Sequence, residues 1–277
     1  MSDRRVVGAL FDGSFEGLLS IVHAYYYGGL LPVEIGTEEG FQQSLDTAYT
    51  YVASDAAQAE KVLSAMRKKL SNGSVENVFA AFAHNNPMRY MDIFQYIVAG
   101  FHYGRMLDNY EQIDYVLAVH KQARHTLHEA HLLKGFTRFT KTADGIFYAD
   151  IEPNCDVLHI LAVHFAERLR EERWIIHDVG RGTAAVYNLR TWEIMEAPAQ
   201  AANITTEDGD GYGALWSAFY EAIMIKERKN PRQKRTMMPK YFWKHMVEHQ
   251  APLKKEIARS TKGGQAAEIL SEMHAIV

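Results

Sequence analysis

Four histidines lie in one segment of helical period, residues 110–134, and they are the first candidates for metal or acid–base chemistry. They are His120, His125, His128 and His131. His128 and His131 enclose Glu129, one residue short of the His-Glu-x-x-His spacing that places two zinc ligands on one helix face. With about 3.6 residues per turn, the actual spacing turns the two side chains about 60° apart. The pattern therefore favours His131 hydrogen-bonded at the core edge, with the other histidines in solvent.

The chain has a single cysteine, Cys155, which restricts redox and metal chemistry. One cysteine can form no disulfide within the chain and cannot supply a multi-cysteine zinc or iron–sulfur site. The residues around it match no nucleophile motif, and no Ser/His/Asp motif is readable. We therefore predict no metal and no cofactor in this chain.

Charged residues at the ends of predicted strands form a second candidate site. Arg138 alternates with Phe139 on a predicted strand, and a buried arginine there would require a carboxylate partner. Candidate partners are Glu129, Asp150 and Glu152. The candidate catalytic set is Glu129, His131, Arg138, Glu152 and Asp178. Arg181 lies in the turn Gly180-Arg181-Gly182, where the two glycines would let its main chain approach a ligand closely. The alternative is that these are ordinary turn and ion-pair residues, so the sequence does not decide whether the protein is an enzyme.

The largest charge imbalance lies in residues 226–244, which we call the basic segment. It holds eight basic residues and one acid, Glu227, and so carries a formal +7 in a chain of net charge −4, which leaves −11 for the remainder. The basic residues are Lys226, Arg228, Lys229, Arg232, Lys234, Arg235, Lys240 and Lys244. Such a segment in an acidic protein predicts a local anion-binding surface. The alternative is a solvated loop between two core helices.

Alternating helical and strand periods predict an α+β, helix-rich protein that could position these residues. Arg5–Phe11 is a predicted strand, Ser14 a predicted helix N-cap, and residues 47–53 a second strand. Residues 55–134 have mainly helical period. In the long helix of residues 110–134, the predicted inner stripe comprises Ile113, Val116, Leu117, His120, Leu127 and His131.

From residue 136 the period changes to two. Residues 136–151 and 174–187 each read as a β-hairpin, and residues 156–172 as the helix between them. This hairpin–helix–hairpin unit predicts one antiparallel sheet covered by one helix. The predicted regions are a mostly helical one over residues 1–134, this unit over 135–196, and a basic helical one over 212–277. All three could form one domain.

Length and composition exclude several classes of protein. The 277 residues are 47% hydrophobic and 23% charged, as in a globular protein. The apolar run near the start is broken by Asp12, too early for a signal peptide, and no run of about eighteen apolar residues exists to cross a membrane. A cytoplasmic location without membrane contact is the expectation.

Several motifs together resemble a known bacterial family. They are FDGSFEGLL (11–19), EAHLLKGFTRF (129–139), WIIHD (174–178) with Arg181, ERKNPR (227–232) and MPKYFW (238–243). The chain resembles the domain-of-unknown-function family labelled "probable DNA metabolism protein". Some relatives in that family are fused to a uracil-DNA glycosylase-like domain, and members occur with a radical SAM protein of DNA repair or modification. The resemblance covers nearly the whole chain.

The resemblance implies a role in DNA metabolism and leaves three hypotheses. The first is an accessory protein that binds single- or double-stranded DNA through the basic segment, with Trp243 or Tyr241 stacking on a base. Trp243 fits a core position equally well. The second is an enzyme acting on DNA or a nucleotide, with the carboxylate/His/Arg set as its pocket. The third is a docking module for a radical SAM or glycosylase-like partner. Cys155 alone cannot hold a radical SAM cluster, which needs three cysteine ligands.

Overall fold

A computed structural model describes residues 5–38, 41–142 and 145–197. The predicted basic helical region, residues 212–277, lies outside the described residues. The described chain mixes helices and two sheets, which confirms the predicted α+β class. It divides into two compact units. The first runs to Glu129 and also contains Asn154–Val157, and the second contains Ala130–Pro153 and the described residues from Leu158 onward.

The first unit is built on a parallel sheet of three strands. They are β1 (Arg5–Phe11), β2 (Leu30–Thr37) and β3 (Tyr49–Tyr51), in the order β2-β1-β3. Helix α1 (Phe15–Tyr27) connects β1 to β2, and its N-cap Ser14 accepts a hydrogen bond from Gly17 N at 3.0 Å, as predicted. The predicted strand over residues 47–53 is confirmed as the shorter β3. At the centre, a side chain on Gly8 would lie 2.2 Å from the Tyr49 ring, so only glycine fits there.

Four further helices begin in the first unit and enclose its core. They are α2 (Ala56–Lys69), α3 (Asn72–Phe82), α4 (Arg89–Tyr103) and α5 (Asp114–Phe136), with a short 3-10 helix at Gly104–Asn109. Buried apolar side chains from β1, α1, α3 and α4 form one cluster with the first half of α5, including Phe11, Leu18, Val78, Ile93 and Val119. The last turns of α5 belong to the second unit.

The second unit contains a sheet of five strands in sequence order. They are β4 (Thr140–Lys141), β5 (Phe147–Ile151), β6 (Trp174–Asp178), β7 (Thr183–Tyr187) and β8 (Trp192–Glu196). Helix α6 (Leu158–Arg168) connects β5 to β6 and packs on this sheet with Leu161 and Phe165 buried. Both predicted hairpins therefore lie in one sheet covered by the predicted helix.

The structure corrects this prediction in three respects. β5 and β6 are parallel, so the sheet is mixed rather than antiparallel, because the chain crosses over through α6 between them. β8 adds an edge strand beyond the predicted hairpin. Arg138 is not in a strand, because α5 continues to Phe136 and β4 begins only at Thr140.

None of the helices in the described residues combines the length and the apolar character needed to cross a membrane.

Candidate functional site

Three segments of the first unit bring two histidines and the cysteine together. His84 follows α3, His125 lies in the middle of α5, and Cys155 lies in the short segment 154–157 that joins the first unit before α6. Asp156 N donates to Ala83 O at 2.8 Å, which ties that segment to the end of α3. One ligand-type atom from each of His84, His125 and Cys155 lies within 4.8 Å of the others, and we call these three residues the His-His-Cys cluster.

The contacts within the cluster are short. Cys155 Sγ lies 3.4 Å from His125 Nδ1. The His84 and His125 rings meet edge to face with centroids 5.0 Å apart. Cys155 is fully buried, His84 half-buried and His125 exposed, so the cluster extends from the core to the surface. An open cleft of about 520 Å³ adjoins it, lined by both histidines with Asn86, Asp114, Lys121 and Gln122.

Glu129 holds the cysteine segment in place. Its carboxylate is buried and accepts bonds from Asn154 N at 2.9 Å, Asn154 Nδ2 at 3.1 Å and Cys155 N at 2.7 Å. Both oxygens are therefore engaged with the segment that carries the thiol. In this arrangement the predicted catalytic Glu129 is a positioning group for Cys155.

Burial sets the protonation of the cluster. It raises the pKa of the Cys155 thiol to about 11, and the nearby Glu129 charge contributes in the same direction. Burial also lowers the pKa of His84, helped by the neighbouring His125 and Arg89. At neutral pH the thiol therefore keeps its proton and His84 is neutral. A neutral thiol is a weak nucleophile, whereas a neutral imidazole such as that of His84 is ready to bind a metal.

Two of the predicted catalytic residues, Glu152 and Asp178, lie at the same end of the sheet in the second unit. Residues Ile151 and Asp178 are register partners on parallel strands, so the exposed Glu152 follows β5 at the sheet end where Asp178 closes β6. Asp178 is fully buried. Its Oδ1 accepts hydrogen bonds from Gly180 N at 3.1 Å and Arg181 N at 3.2 Å, and its Oδ2 accepts one from Arg181 Nη1 at 2.9 Å. The same Nη1 donates to Pro153 O at 3.0 Å. This ion pair fixes the β6–β7 turn against the end of β5.

The other two predicted catalytic residues lie at the end of α5 and beyond it. His131 is exposed on the helix, rather than at the core edge as expected. Arg138 is half-buried, and its Nη1 donates to Gly135 O at 2.8 Å, so the guanidinium caps the carboxyl-terminal end of α5. Its pairing with a carboxylate stays a prediction.

A second histidine-centred group, which we call the Tyr-Asp-His group, is buried in the sheet of the second unit. His177 Nε2 lies 3.1 Å from Ala197 O, and since a carbonyl only accepts, this nitrogen carries a proton. His177 Nδ1 faces Tyr148 Oη at 2.8 Å and Asp150 Oδ1 at 3.2 Å, and Tyr148 Oη donates to Asp150 at 2.7 Å. Burial and then the Asp150 carboxylate raise the pKa of Tyr148, so the phenol stays protonated. Both ring nitrogens of His177 therefore have protein partners.

Sequence spacing does not reveal the His-His-Cys cluster, because its members come from three distant segments. His84 and Cys155 each lie in a connection, next to asparagines (His84-Asn85-Asn86 and Asn154-Cys155). A histidine or cysteine in a polar connection is the one local sign of such a site. The predicted nucleic-acid-binding residues, Lys226 to Lys244 with Trp243, lie outside the described residues.

Residues 87–248 match the model of the family described as Domain of unknown function (DUF4130), and the match spans more than half of the chain. The chain belongs to this family. No curated protein and no solved structure matches the chain.

Proposed function

We propose that the protein is an accessory factor of DNA metabolism that binds nucleic acid through the basic segment, residues 226–244. The observation that carries the proposal is the +7 charge of these residues in a chain of net charge −4. Like charges held together repel each other, and binding to a polyanion offsets the repulsion because each neutralised phosphate releases counterions.

The extent of the family match supports the proposal. It runs from residue 87 to residue 248 and includes the whole basic segment, so these cations belong to the matched domain rather than to an appended tail. The resemblance to proteins labelled for DNA metabolism supplies the class of polyanion. We place the protein, on the same grounds, in the cytoplasm beside DNA, with a radical SAM or uracil-DNA glycosylase-like protein as its working partner.

The test compares two triple variants of equal charge change. Arg232, Lys234 and Arg235 are replaced by Ala in one, and Lys61, Arg67 and Lys68, which are exposed on α2, in the other. If roughly four cations meet phosphates, the logarithm of the affinity for single-stranded DNA falls with the logarithm of salt concentration at a slope of about −3. The first variant should weaken binding to every sequence alike, since phosphate contacts carry no base code, and should flatten this slope by up to about 2.

The α2 variant should leave both affinity and slope near the wild-type values. Equal loss in the two variants would show that net charge alone matters. Absence of DNA binding by the wild type at low salt would contradict the proposal. Loss of a radical SAM or glycosylase-like partner in the first variant, without any DNA binding, would instead identify the basic segment as a protein-docking surface.

A further inference from the structure

The His-His-Cys cluster has the dimensions of a metal site. In a tetrahedral zinc site, bonds of about 2.3 Å to sulfur and about 2.0 Å to nitrogen place the two ligand atoms about 3.5 Å apart. Cys155 Sγ and His125 Nδ1 are 3.4 Å apart, and all three ligand atoms lie within 4.8 Å of one another. The other separations, at most 4.8 Å, would have to shorten by up to about 1.4 Å for all three atoms to bind a common tetrahedral ion.

We propose that His84, His125 and Cys155 bind a divalent zinc-type ion through two imidazole nitrogens and one thiolate, with the fourth position open to solvent. Mixed imidazole and thiolate ligands select borderline-soft ions such as Zn²⁺ over Mg²⁺ or Ca²⁺. Three protein ligands with one open position are the arrangement of zinc sites that bind water or substrate.

The gradient of burial across the cluster fits this arrangement. Cys155 anchors the inner side at 0% exposure, and the exposed His125 closes the outer side. An ion could therefore enter from the cleft that both histidines line, and the open position would face that cleft. A water bound there would be acidified by the ion, next to Lys121 and Gln122.

A buried hydroxyl lies beside the cluster. Thr126 follows His125 on α5 and is fully buried, and the Cys155 thiol lies next to its hydroxyl. Within the described part of the chain Thr126 Oγ1 makes no hydrogen bond of normal geometry, so its contact with the neutral thiol is a weak one. A metal-bound thiolate is a charged and stronger acceptor and would strengthen this contact.

The hydrogen bonds around the cluster show which groups would orient the ligands and which bond metal binding would cost. Glu129 fixes the main chain of Cys155 and so orients the thiolate, in the manner of outer-shell carboxylates at metal sites. Asn86 N donates to His84 Nδ1 at 2.9 Å, so the neutral ring carries its proton on Nε2. To bind the metal, His84 must give up this one hydrogen bond from the main chain. Either Nδ1 binds the metal in place of Asn86 N–H, or the proton moves to Nδ1 and Nε2 binds the metal. Asn86 is only half-buried, so water can replace the lost bond.

The test uses the full-length chain, stripped of metal, in a competition titration between the protein and a chromophoric Zn²⁺ chelator. The chain has 13 histidines, which can bind Zn²⁺ elsewhere, so Zn²⁺ binding alone does not test the site. The test is whether tight binding depends on Cys155. We expect one tight Zn²⁺ per chain, weakened at least about 100-fold in Cys155→Ser and His125→Ala. Glu129→Gln should weaken it about tenfold. His128→Ala, an exposed histidine on the same helix, is the matched control and should stay within about twofold of wild type.

Substitution of Co²⁺ for Zn²⁺ provides the spectroscopic readout. A sulfur-to-cobalt charge-transfer band in the wild type and in His128→Ala, absent from Cys155→Ser, is the expected result. Circular dichroism verifies that each variant is folded. If Cys155→Ser fails to fold, His125→Ala still tests the site, because it changes an exposed position that the core does not need. Equal Zn²⁺ affinity in wild type and in folded His125→Ala, or a Co²⁺ spectrum without the sulfur band, would overturn the proposal. Neither result depends on DNA binding, so this proposal and the proposed function can fail separately.

Discussion

The His-His-Cys cluster of the first unit and the Tyr-Asp-His group of the second place similar residues in opposite situations. His177 has both ring nitrogens bonded within the protein and is 1% exposed. In the cluster, the exposed His125 has one hydrogen-bond partner among the described residues, the neutral Cys155 thiol at 3.4 Å. Hydrogen-bond satisfaction, rather than the presence of histidine, therefore distinguishes a structural group from a ligand-ready one.

The same contrast applies to the carboxylates. Asp178 pairs with Arg181 and holds a turn, so its charge is neutralised where it lies. Glu129 is equally buried but is bonded to main-chain N–H groups of the segment that presents a potential metal ligand. Removing Asp178 would disturb a turn, whereas removing Glu129 would disturb a site as well.

The largest effect is expected for Glu129→Ala, which leaves the Asn154 and Cys155 N–H groups without their acceptor. We expect a loss of about 3 kcal/mol in unfolding free energy, because the buried Cys155 N–H left unpaired costs about 1–3 kcal/mol and the lost bonds to the exposed Asn154 add to it. Chemical denaturation followed by circular dichroism measures the loss, and amide hydrogen exchange at Asn154 and Cys155 should accelerate. Glu129→Gln keeps an acceptor oxygen and serves as the milder control. Unchanged exchange in Glu129→Ala would show that these bonds do not hold the segment.

A smaller effect is expected for Tyr148→Phe in the second unit. The change removes the hydroxyl between His177 and Asp150 and should cost about 1.5 kcal/mol of unfolding free energy, the usual range for one buried hydrogen-bonding group. Denaturation followed by tryptophan fluorescence is suitable, since Trp174 is buried in the same sheet. Zn²⁺ affinity should not change. A fall in Zn²⁺ affinity as large as that of Cys155→Ser would show that the Tyr-Asp-His group, and not the His-His-Cys cluster alone, takes part in Zn²⁺ binding.

The smallest effect is expected for Asp108→Asn in the first unit, where Asp108 is the centre of a hydrogen-bonded group that includes His120. Burial alone would raise the pKa of Asp108, but bonds from Ser74, Tyr96 and His120 outweigh burial and lower it. Ser74 Oγ lies 2.6 Å and His120 Nε2 2.9 Å from the carboxylate. Asp108→Asn should cost about 1 kcal/mol at pH 7.

The sign of the pH dependence follows from the lowered pKa of Asp108. A carboxylate with a folded-state pKa below its unfolded value of about 3.9 contributes its full stability above that value and loses it as pH falls through the folded pKa. The stability difference between wild type and Asp108→Asn should therefore shrink between pH 5 and about pH 2. A difference that is constant over this range would show that the charge of Asp108 is not what the network stabilises.

Local patterns in the sequence predict much of the fold. β1, the Ser14 cap and both hairpins follow from strand periods and turn residues that act within a few positions. β2 has no such pattern, since Pro32 and Gly36 interrupt it, and a proline is tolerated there because β2 is an edge strand. The parallel pairing of β5 with β6 depends on the crossover through α6, which no local pattern encodes.

The site is harder to predict than the fold, and α5 shows why. Its helical period is correct, but Leu127 is 46% exposed whereas the polar Gln122, Thr126 and Glu129 are buried. Two of these polar residues bind partners from other segments: Gln122 Nε2 donates to Asp92 at 2.7 Å, and Glu129 accepts from the Cys155 segment. A hydrophobic pattern therefore predicts the wrong buried face in the part of α5 where the buried face is polar.

The most direct test of the contrast is X-ray absorption at the zinc edge on the Zn²⁺-loaded full-length protein. The proposed site predicts one sulfur at about 2.3 Å and two imidazole nitrogens at about 2.0 Å, with a further light atom from water. The sulfur should disappear in Cys155→Ser and remain in Tyr148→Phe. A wild-type spectrum with nitrogen and oxygen neighbours alone would contradict the assignment of His84, His125 and Cys155 as a metal site.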